Sequence, residues 1–387
     1  MRVNIPAIIT LTLLLLWTAC NKTITDRKTR ELKLDEKEYP LVLKKEKEYH
    51  FNIISKEGPM ISRVNFKDNL YIYFLINQDK NCEVLRLTTD FQPRGRYIIR
   101  RGQGPGEALN PRIYGGNEQS IIVYDAPGFK YIRFDPEFAL LDEYRLKKDM
   151  GVFLYSGARY VPEHNCVVDG FCQFLSYYDS LIRIYVMQFT DSKKIEDQKL
   201  FETKNVEQRK NTDIALIGDP VHFGWFFDHI YILDKRDYRI IKMDIRGKIV
   251  KDIKIHFKSR TFSKEIRKKW INQFYINDKF ARENFDFIEK LWSACWILQI
   301  GSGIAVGRCE NYDPDEKGPV PADYFDSDLN YLGRITIPYF YYWNNPGLGQ
   351  SILDITFYSK DGKLYFITNR EEEECSIVRY AIIHEKN

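Results

Sequence analysis

The chain is short of the residues that most enzymes and metal sites are built from. It has six His and seven Cys among 387 residues, with no two cysteines at C-x-x-C spacing and no histidine pair to complete a zinc motif. No G-x-S-x-G elbow and no H-E-x-x-H segment occurs, which removes the two commonest hydrolase signatures. No Gly-Lys-Ser/Thr follows any glycine-rich stretch, so a Walker loop is excluded. The acidic runs from Asp313 (DPDE), Asp326 (DSD) and Glu371 (EEEE) lack the spaced ligands of a calcium loop and read as solvated hairpin tips. A net charge of +4 is small and dispersed, with no Lys/Arg stripe able to neutralise many phosphates. No metal, cofactor or nucleic-acid partner is expected.

Aromatic residues, in contrast, are abundant. Tyr 26 and Phe 25 help bring the aromatic share to 15%, and they sit among many Ile and Val, a composition that favours strands. The first residues, MRVNIPAIITLTLLLLWTAC, carry one positive charge, a short apolar run and a small residue before Cys20. This is the layout of an export signal, and the run is too short to span a bilayer comfortably. Its end, Leu16 to Cys20, resembles a bacterial lipobox, in which the cysteine becomes the lipidated first residue of the mature chain. Trp17 departs from the small or aliphatic residue usual there, so simple cleavage and an uncleaved anchor stay open alternatives. Residues 1–20 are thus expected to be signal and lipobox, and 21–38, polar and poor in bulky apolar residues, a flexible tether. No acidic cluster follows Cys20, which favours the periplasmic side of the outer membrane over the cell surface. The other six cysteines (82, 166, 172, 295, 309 and 375) are read as buried strand residues rather than paired ones.

One pattern recurs from residue 39 to the C-terminus: a turn of Asp, Asn or Gly, an alternating apolar strand, a polar break, and a second strand ending near an Asp. In the best two copies Ile121 aligns with Ile230, Asp125 with Asp234 and Asp135 with Asp244. Second strands begin at Leu70, Ile121, Cys166, Ile230, Ile304 and Leu364. Six copies of this length suit six four-stranded propeller blades with insertions. The first strand of each should lie just before, in PMISRVNF, PRIYGG, VFLYSG, PVHFGWFF, ACWILQI and ILDITFY. The sixth copy runs out near Ile383 one strand short. EYPLVLK or EYHFNII near the N-terminus would supply that strand and close the ring. One segment breaks the pattern: about 261–292, where Ser263 is an N-cap candidate and Ile266, Trp270 and Phe274 recur at spacing four, predicts a helical insert before blade 5. It is read as packing on the propeller rather than as an arm.

The stretch RRGQGPGEALNP, Arg100 to Pro111, followed by IIVYDAPGFKYIRFD, Ile121 to Asp135, resembles the six-bladed propeller lipoproteins of Gram-negative gut anaerobes, and more distantly the NHL repeats. The resemblance covers roughly Tyr39 to Asn387 and includes the lipobox and the helical insert. It implies that Gly102 to Glu107 form the turn from one blade's outer strand to the next blade's inner strand, which opens at Asn110-Pro111. Since most members have no assigned activity, it implies a fold far more than a function.

The glycine-rich turn lacks the third glycine of a dinucleotide loop, where Glu107 stands, and a strand pattern rather than a helix follows it. Alternating glycines and Pro105 suit a tight turn in which Glu107 accepts backbone amides. Arg101 and Gln103 would project toward the channel mouth. The inner strands add Arg63, Arg112, Tyr114, Tyr155, Arg159, His222, Trp225, Trp296 and Asp354: stacking area with a few orienting polar groups, which a sugar or peptide site needs. Singly, Trp225 and Trp296 read as blade packing and His222 as a hydrogen-bonded strand histidine. The expected function is a lipid-anchored envelope propeller that binds a glycan, peptide or partner protein. The alternatives are a propeller-type lyase, hydrolase or lactonase with His222 or a carboxylate as base, and a structural lipoprotein whose insert docks an envelope protein.

Overall fold

The computed structural model describes residues 29–34, 37–52, 60–66, 69–77, 81–147, 150, 152–153, 158–174, 179–206, 221–257, 294–308, 318–340, 357–358, 363–372 and 374–384. Cys20 and the expected helical insert lie outside them. The described residues are almost all strand and contain no α-helix, only a short 3-10 turn at Pro162–His164.

Six small antiparallel sheets make a six-bladed β-propeller. Blade 1 is β3 (Met60–Phe66), β4 (Asn69–Asn77), β5 (Asn81–Thr88) and β6 (Pro93–Arg100). Blade 2 is β7 (Pro111–Gly116), β8 (Ile121–Asp125), β9 (Lys130–Phe134) and β10 (Leu140–Arg145). In blade 3 the inner strand is split into β11 (Val152–Phe153) and β12 (Arg159–Val161), both paired to β13 (Cys166–Phe174), with β14 (Asp179–Phe189) and β15 (Ile195–Val206) outside. Blade 4 is β16 (Val221–Phe226), β17 (His229–Asp234), β18 (Arg239–Met243) and β19 (Ile249–Ile255), and blade 5 is β20 (Ala294–Ile300), β21 (Gly303–Arg308), β22 (Gly318–Asp326) and β23 (Tyr331–Phe340). Blade 6 takes β24 (Phe357–Tyr358), β25 (Lys363–Glu372) and β26 (Glu374–His384) from the end of the chain and β2 (Leu41–Asn52) from its beginning. The predicted closing strand is therefore one long strand spanning both candidate segments, with Leu41 opposite His384 and Asn52 opposite Glu374.

Burial explains the patterning. The middle strands are covered on both faces, so IIVYD in β8 is buried at every position, whereas the outer β10 is mostly exposed. Each hydrophobic cluster lies between neighbouring blades: Tyr73 and Val84 against Ile113 and Val123, Tyr131 against Val167 and Phe171, Val168 against Phe223, Tyr231 against Ile304, and Leu298 against Leu364. The sixth cluster, Ile72, Leu87 and Phe91 with Tyr365 and Ile377, joins the last blade to the first.

The Asp recurring in the sequence has a local cause. The hairpins between third and fourth strands begin with Thr88, Asp135, Thr190, Asp244 or Asp326, whose side-chain oxygen accepts the N–H four residues on. The residue before that N–H is left-handed in each: Phe91, Phe138, Lys193, Gly247 and Leu329. A non-glycine there costs about 1 kcal/mol. Phe91, Phe138 and Leu329 offset it by burying their side chains in the blade interfaces.

The expected tether is in part structured. Arg30–Leu32 form a short strand, β1, pairing parallel with the outer strand of blade 4. Thr29 Oγ1 donates to Asp252 at 3.2 Å, and His256 N donates to Leu32 O at 2.9 Å. The chain then crosses to blade 5, where Arg334 N donates to Lys37 O and Tyr39 N to Arg334 O, before entering β2. Residues 29–34 and 37–40 thus belong to the rim.

Leu41 and Leu43 of β2 are buried in the cluster shared by blades 5 and 6. Leu41→Ala should cost about 2–4 kcal/mol in urea unfolding. A loss below about 0.5 kcal/mol would show that β2 is an accessory strand rather than the closure.

Candidate functional site

The glycine-rich connection from β6 to β7 is occupied by its own neighbours. Gly104 N donates to Glu107 Oε2 at 2.9 Å and Gly106 N to Glu143 Oε1 at 2.9 Å. Leu109 N and Asn110 N both donate to Asp125 Oδ1, at 3.0 and 2.9 Å. Lys130 Nζ bridges Gly104 O and Glu143. Gly106 is left-handed, at φ 73°, and a Cβ on Gly102 would run into the Glu107 carboxylate, so the glycines serve a tight turn wrapped on carboxylates. With these amides already paired to anions, the turn offers no phosphate cradle. Arg101 and Gln103 are exposed on it.

The inner strands place the other candidates unequally. Arg63 stands on β3, but its side chain lies outside the described residues, as do Tyr155 and Asp354. Arg112 and Tyr114 of β7 are half-buried, and β7 packs against β12, which carries Arg159. Tyr114 stacks on Tyr124 with centroids 5.3 Å apart and lies 6.0 Å from Tyr131, so the blade 2 side of the ring is a tyrosine cluster. On the other side β16 packs against β20. Trp296 of β20 is buried between blades 5 and 6, lying on Gly307, where even a Cβ would meet the indole at 2.2 Å. Trp225 is half-buried against the cluster of blades 3 and 4. Both indoles are spent on blade packing, and Trp296 keeps no surface for a ligand.

His222 is likewise committed. It is 3% exposed, its Nδ1 accepts from Ile297 N at 3.1 Å, and burial, helped by the Lys235 charge, holds its pKa well below the ordinary value. The ring is therefore neutral, with its proton on Nε2. That Nε2–H is buried with no partner among the described residues. An imidazole whose free nitrogen already carries the proton, and whose other nitrogen is bonded, cannot take a proton from a substrate.

A residue that the sequence reading passed over stands at the centre of the tyrosine cluster. Asp169 of β13 is fully buried; Tyr131 Oη donates to its Oδ2 at 2.6 Å and Gly170 N to its Oδ1 at 2.7 Å. Burial pushes its pKa up to about 8, against the opposing pull of these bonds, a bond from Tyr114 and the Arg112 charge. At neutral pH the carboxyl is mostly protonated, and full burial with both oxygens engaged holds it away from a substrate. The signal was available in VVDGF, where a lone charge interrupts an apolar run. A second buried carboxylate, Asp323, is differently served: Arg308 Nη2 donates to Oδ1 at 2.6 Å, Arg308 Nε and Tyr238 Oη donate to Oδ2, and Phe257 covers the guanidinium. Among the described residues no three His, Cys, Asp or Glu side chains gather as metal ligands. Cys82, Cys166 and Cys172 are buried free thiols.

No family model and no curated protein matches this chain. Solved structures do. A member of the DUF4221 family from Bacteroides vulgatus superposes with a TM-score of 0.57 at 13% identity, over 90% of this chain and 100% of that one. A Bacteroides fragilis protein named as exported gives 0.45 at 12% identity, over 92% and 99% of the two chains. Regucalcin, a calcium-binding protein from Agrobacterium tumefaciens, gives 0.41 at 11% identity, over 92% and 97%. At such identities the likeness speaks to the propeller fold alone.

The raised Asp169 pKa has a signed consequence. A carboxyl whose folded pKa lies above its unfolded value near 3.8 contributes stability that is full below about pH 4 and is lost as pH rises toward about 8. Asp169→Asn does not titrate. Across pH 5 to 8 the melting temperature of the native protein should therefore fall relative to the variant's, and parallel profiles would refute a protonated Asp169.

Proposed function

We propose that this protein is an exported, lipid-anchored binding propeller of the cell envelope, taking a glycan, peptide or partner protein at the channel mouth. The observation that carries the reading is the closed state of the two candidate bases. His222 is neutral with Nδ1 engaged, and Asp169 is protonated and tied to a phenol. Beside them the inner strands offer recognition groups, Arg112, Tyr114 and Arg159, on a scaffold whose blade interfaces are already formed. Among the described inner-strand residues, recognition groups stand beside two side chains that are closed to proton transfer, which supports binding over the lyase, hydrolase or lactonase alternative.

The anchoring part of the proposal rests on the lipobox-like end of the leader. Only eight residues lie between Cys20 and Thr29, a reach of roughly 30 Å at full extension. A lipid on Cys20 would hold the blade 4 rim, where β1 is sewn in, close to the outer membrane, with the periplasmic side favoured.

Two measurements test this. Cys20→Ser should move the protein from the membrane fraction to the soluble fraction; an unmoved variant would remove the lipid anchor from the reading. A panel of envelope and dietary glycans and peptides should contain a ligand that raises the melting temperature, since about a hundredfold excess over Kd adds about 2.7 kcal/mol. Turnover of an ester or glycoside by the purified protein, lost in His222→Gln, would favour the enzyme instead.

A further inference from the structure

We infer that Arg159 is the recognition group of this site and that its ligand presents a carboxylate to it, an inference that rests on the binding reading above and narrows it.

The geometry begins with the split inner strand of blade 3. Arg159 opens β12, opposite Val168 of β13. Its neighbour Tyr160 packs into the cluster between blades 2 and 3, while Val161 packs with Val221 and Phe223 of blade 4. By strand alternation Arg159 shares the Val161 side. The guanidinium thus projects from the inner wall of the ring on its blade 4 side.

Among the inner-strand arginines whose side chains are described, this one lacks company. Five sheltered arginines elsewhere are paired, Arg308 with Asp323, Arg236 with Asp234, Arg239 with Asp252, Arg183 with Glu202, and Arg379 with Asp90, while half-buried Arg133, on the third strand of blade 2, shares the lack of a described partner. Arg159, half-buried, makes no hydrogen bond or ion pair among the described residues, and Glu163 acts on it only as a more distant charge. Burial draws its pKa down to about 10, which leaves it charged at every physiological pH. A sheltered cation without a counter-charge is a standing cost to the fold, and neutral polar residues would serve the same position without it. An incoming anion removes that cost. The planar fork of the guanidinium matches the two oxygens of a carboxylate. The same chemistry is carried by a sugar acid or by an acidic amino-acid side chain.

The test uses the whole mature chain and four small probes: galacturonate against galactose, and acetyl-glutamate against acetyl-glutamine. One or both carboxylates should raise the melting temperature of the native protein, the neutral counterparts should not, and which carboxylate acts identifies the source. Arg159→Gln should melt higher than the native protein without ligand, and bind the active carboxylate at least about tenfold more weakly by calorimetry. Arg159→Lys, which keeps the charge but not the fork, should bind with intermediate affinity and guards against a misfolded glutamine variant. Equal carboxylate response in native and glutamine proteins would overturn the assignment. So would a lower melting temperature of Arg159→Gln without ligand, the mark of a structural pairing. Stabilisation by a neutral glycan with indifference to both carboxylates would overturn it too, while leaving the binding reading intact.

Discussion

The pairing of Leu41–Asn52 with Glu374–His384 is the constraint on which the ring depends, because it is the point at which a linear array of sheets becomes a closed object. Without β2, blade 6 would have three strands and an open edge along β26, a template for pairing with another chain. With it, the first and last parts of the chain share one sheet, and blade 6 can offer Tyr365 and Ile377 to Ile72 and Phe91 of blade 1. Closure therefore links the longest-range contacts in the chain to the burial of ordinary hydrophobic faces. It also fixes the inner strands at a set distance around the axis, so the groups on them are arranged before any ligand arrives. Residues 29–34 on blade 4 and 37–40 on blade 5 extend the same device outward ahead of the strand that closes blade 6.

Polar groups caught between blades divide by how completely they are served. Asp323 has a guanidinium and a phenol and behaves as a closed internal tie between blades 4 and 5. Asp169 has a phenol and an amide and settles the remaining imbalance by holding its proton. His222 settles it by staying neutral, with one nitrogen engaged and the other left with an unpaired proton. Each of these outcomes removes a charge or a base from the interior. Arg159 cannot take that route, because a guanidinium keeps its charge at any pH the protein meets. Of these four groups, Arg159 is the one left charged without a described counter-charge.

Much of the architecture was legible because it is written in short-range periodicity. In blades 1, 2, 4 and 5 the inner strands begin where alternating apolar segments begin, and the hairpin Asp residues mark turns whose hydrogen bonds span only four residues. The missing fourth strand of the last repeat implied a donor at the other end of the chain, and that strand takes in residues 41–44 of one candidate segment and 48–52 of the other. What escaped was decided by distant partners. β1 is three residues long and polar, and nothing in REL alone shows that it will be sewn to Ile253 and Ile255. The split of the blade 3 inner strand follows from how β11 and β12 share β13, and Asp169 acquires its character from burial between neighbouring blades. Trp225 and Trp296 were ambiguous for a related reason, since an indole on an inner strand can face the channel or the next blade and only the twist of the sheet decides.

The glycine-rich turn and the site point to different relations between sequence and function. RRGQGPGEALNP is the most conspicuous stretch in the chain because a chain reversal against Glu107 and Glu143 restricts backbone geometry, and restricted backbones select unusual residues. Its donors are consumed in making the turn, so its conspicuousness records a structural demand. ARYV, which holds Arg159, is unremarkable in composition because its demand falls on a single side chain, and a side chain with no internal partner leaves no periodicity behind. Function in this ring is therefore to be sought in unbalanced polar groups on regular strands, where the backbone is satisfied and one charge is not.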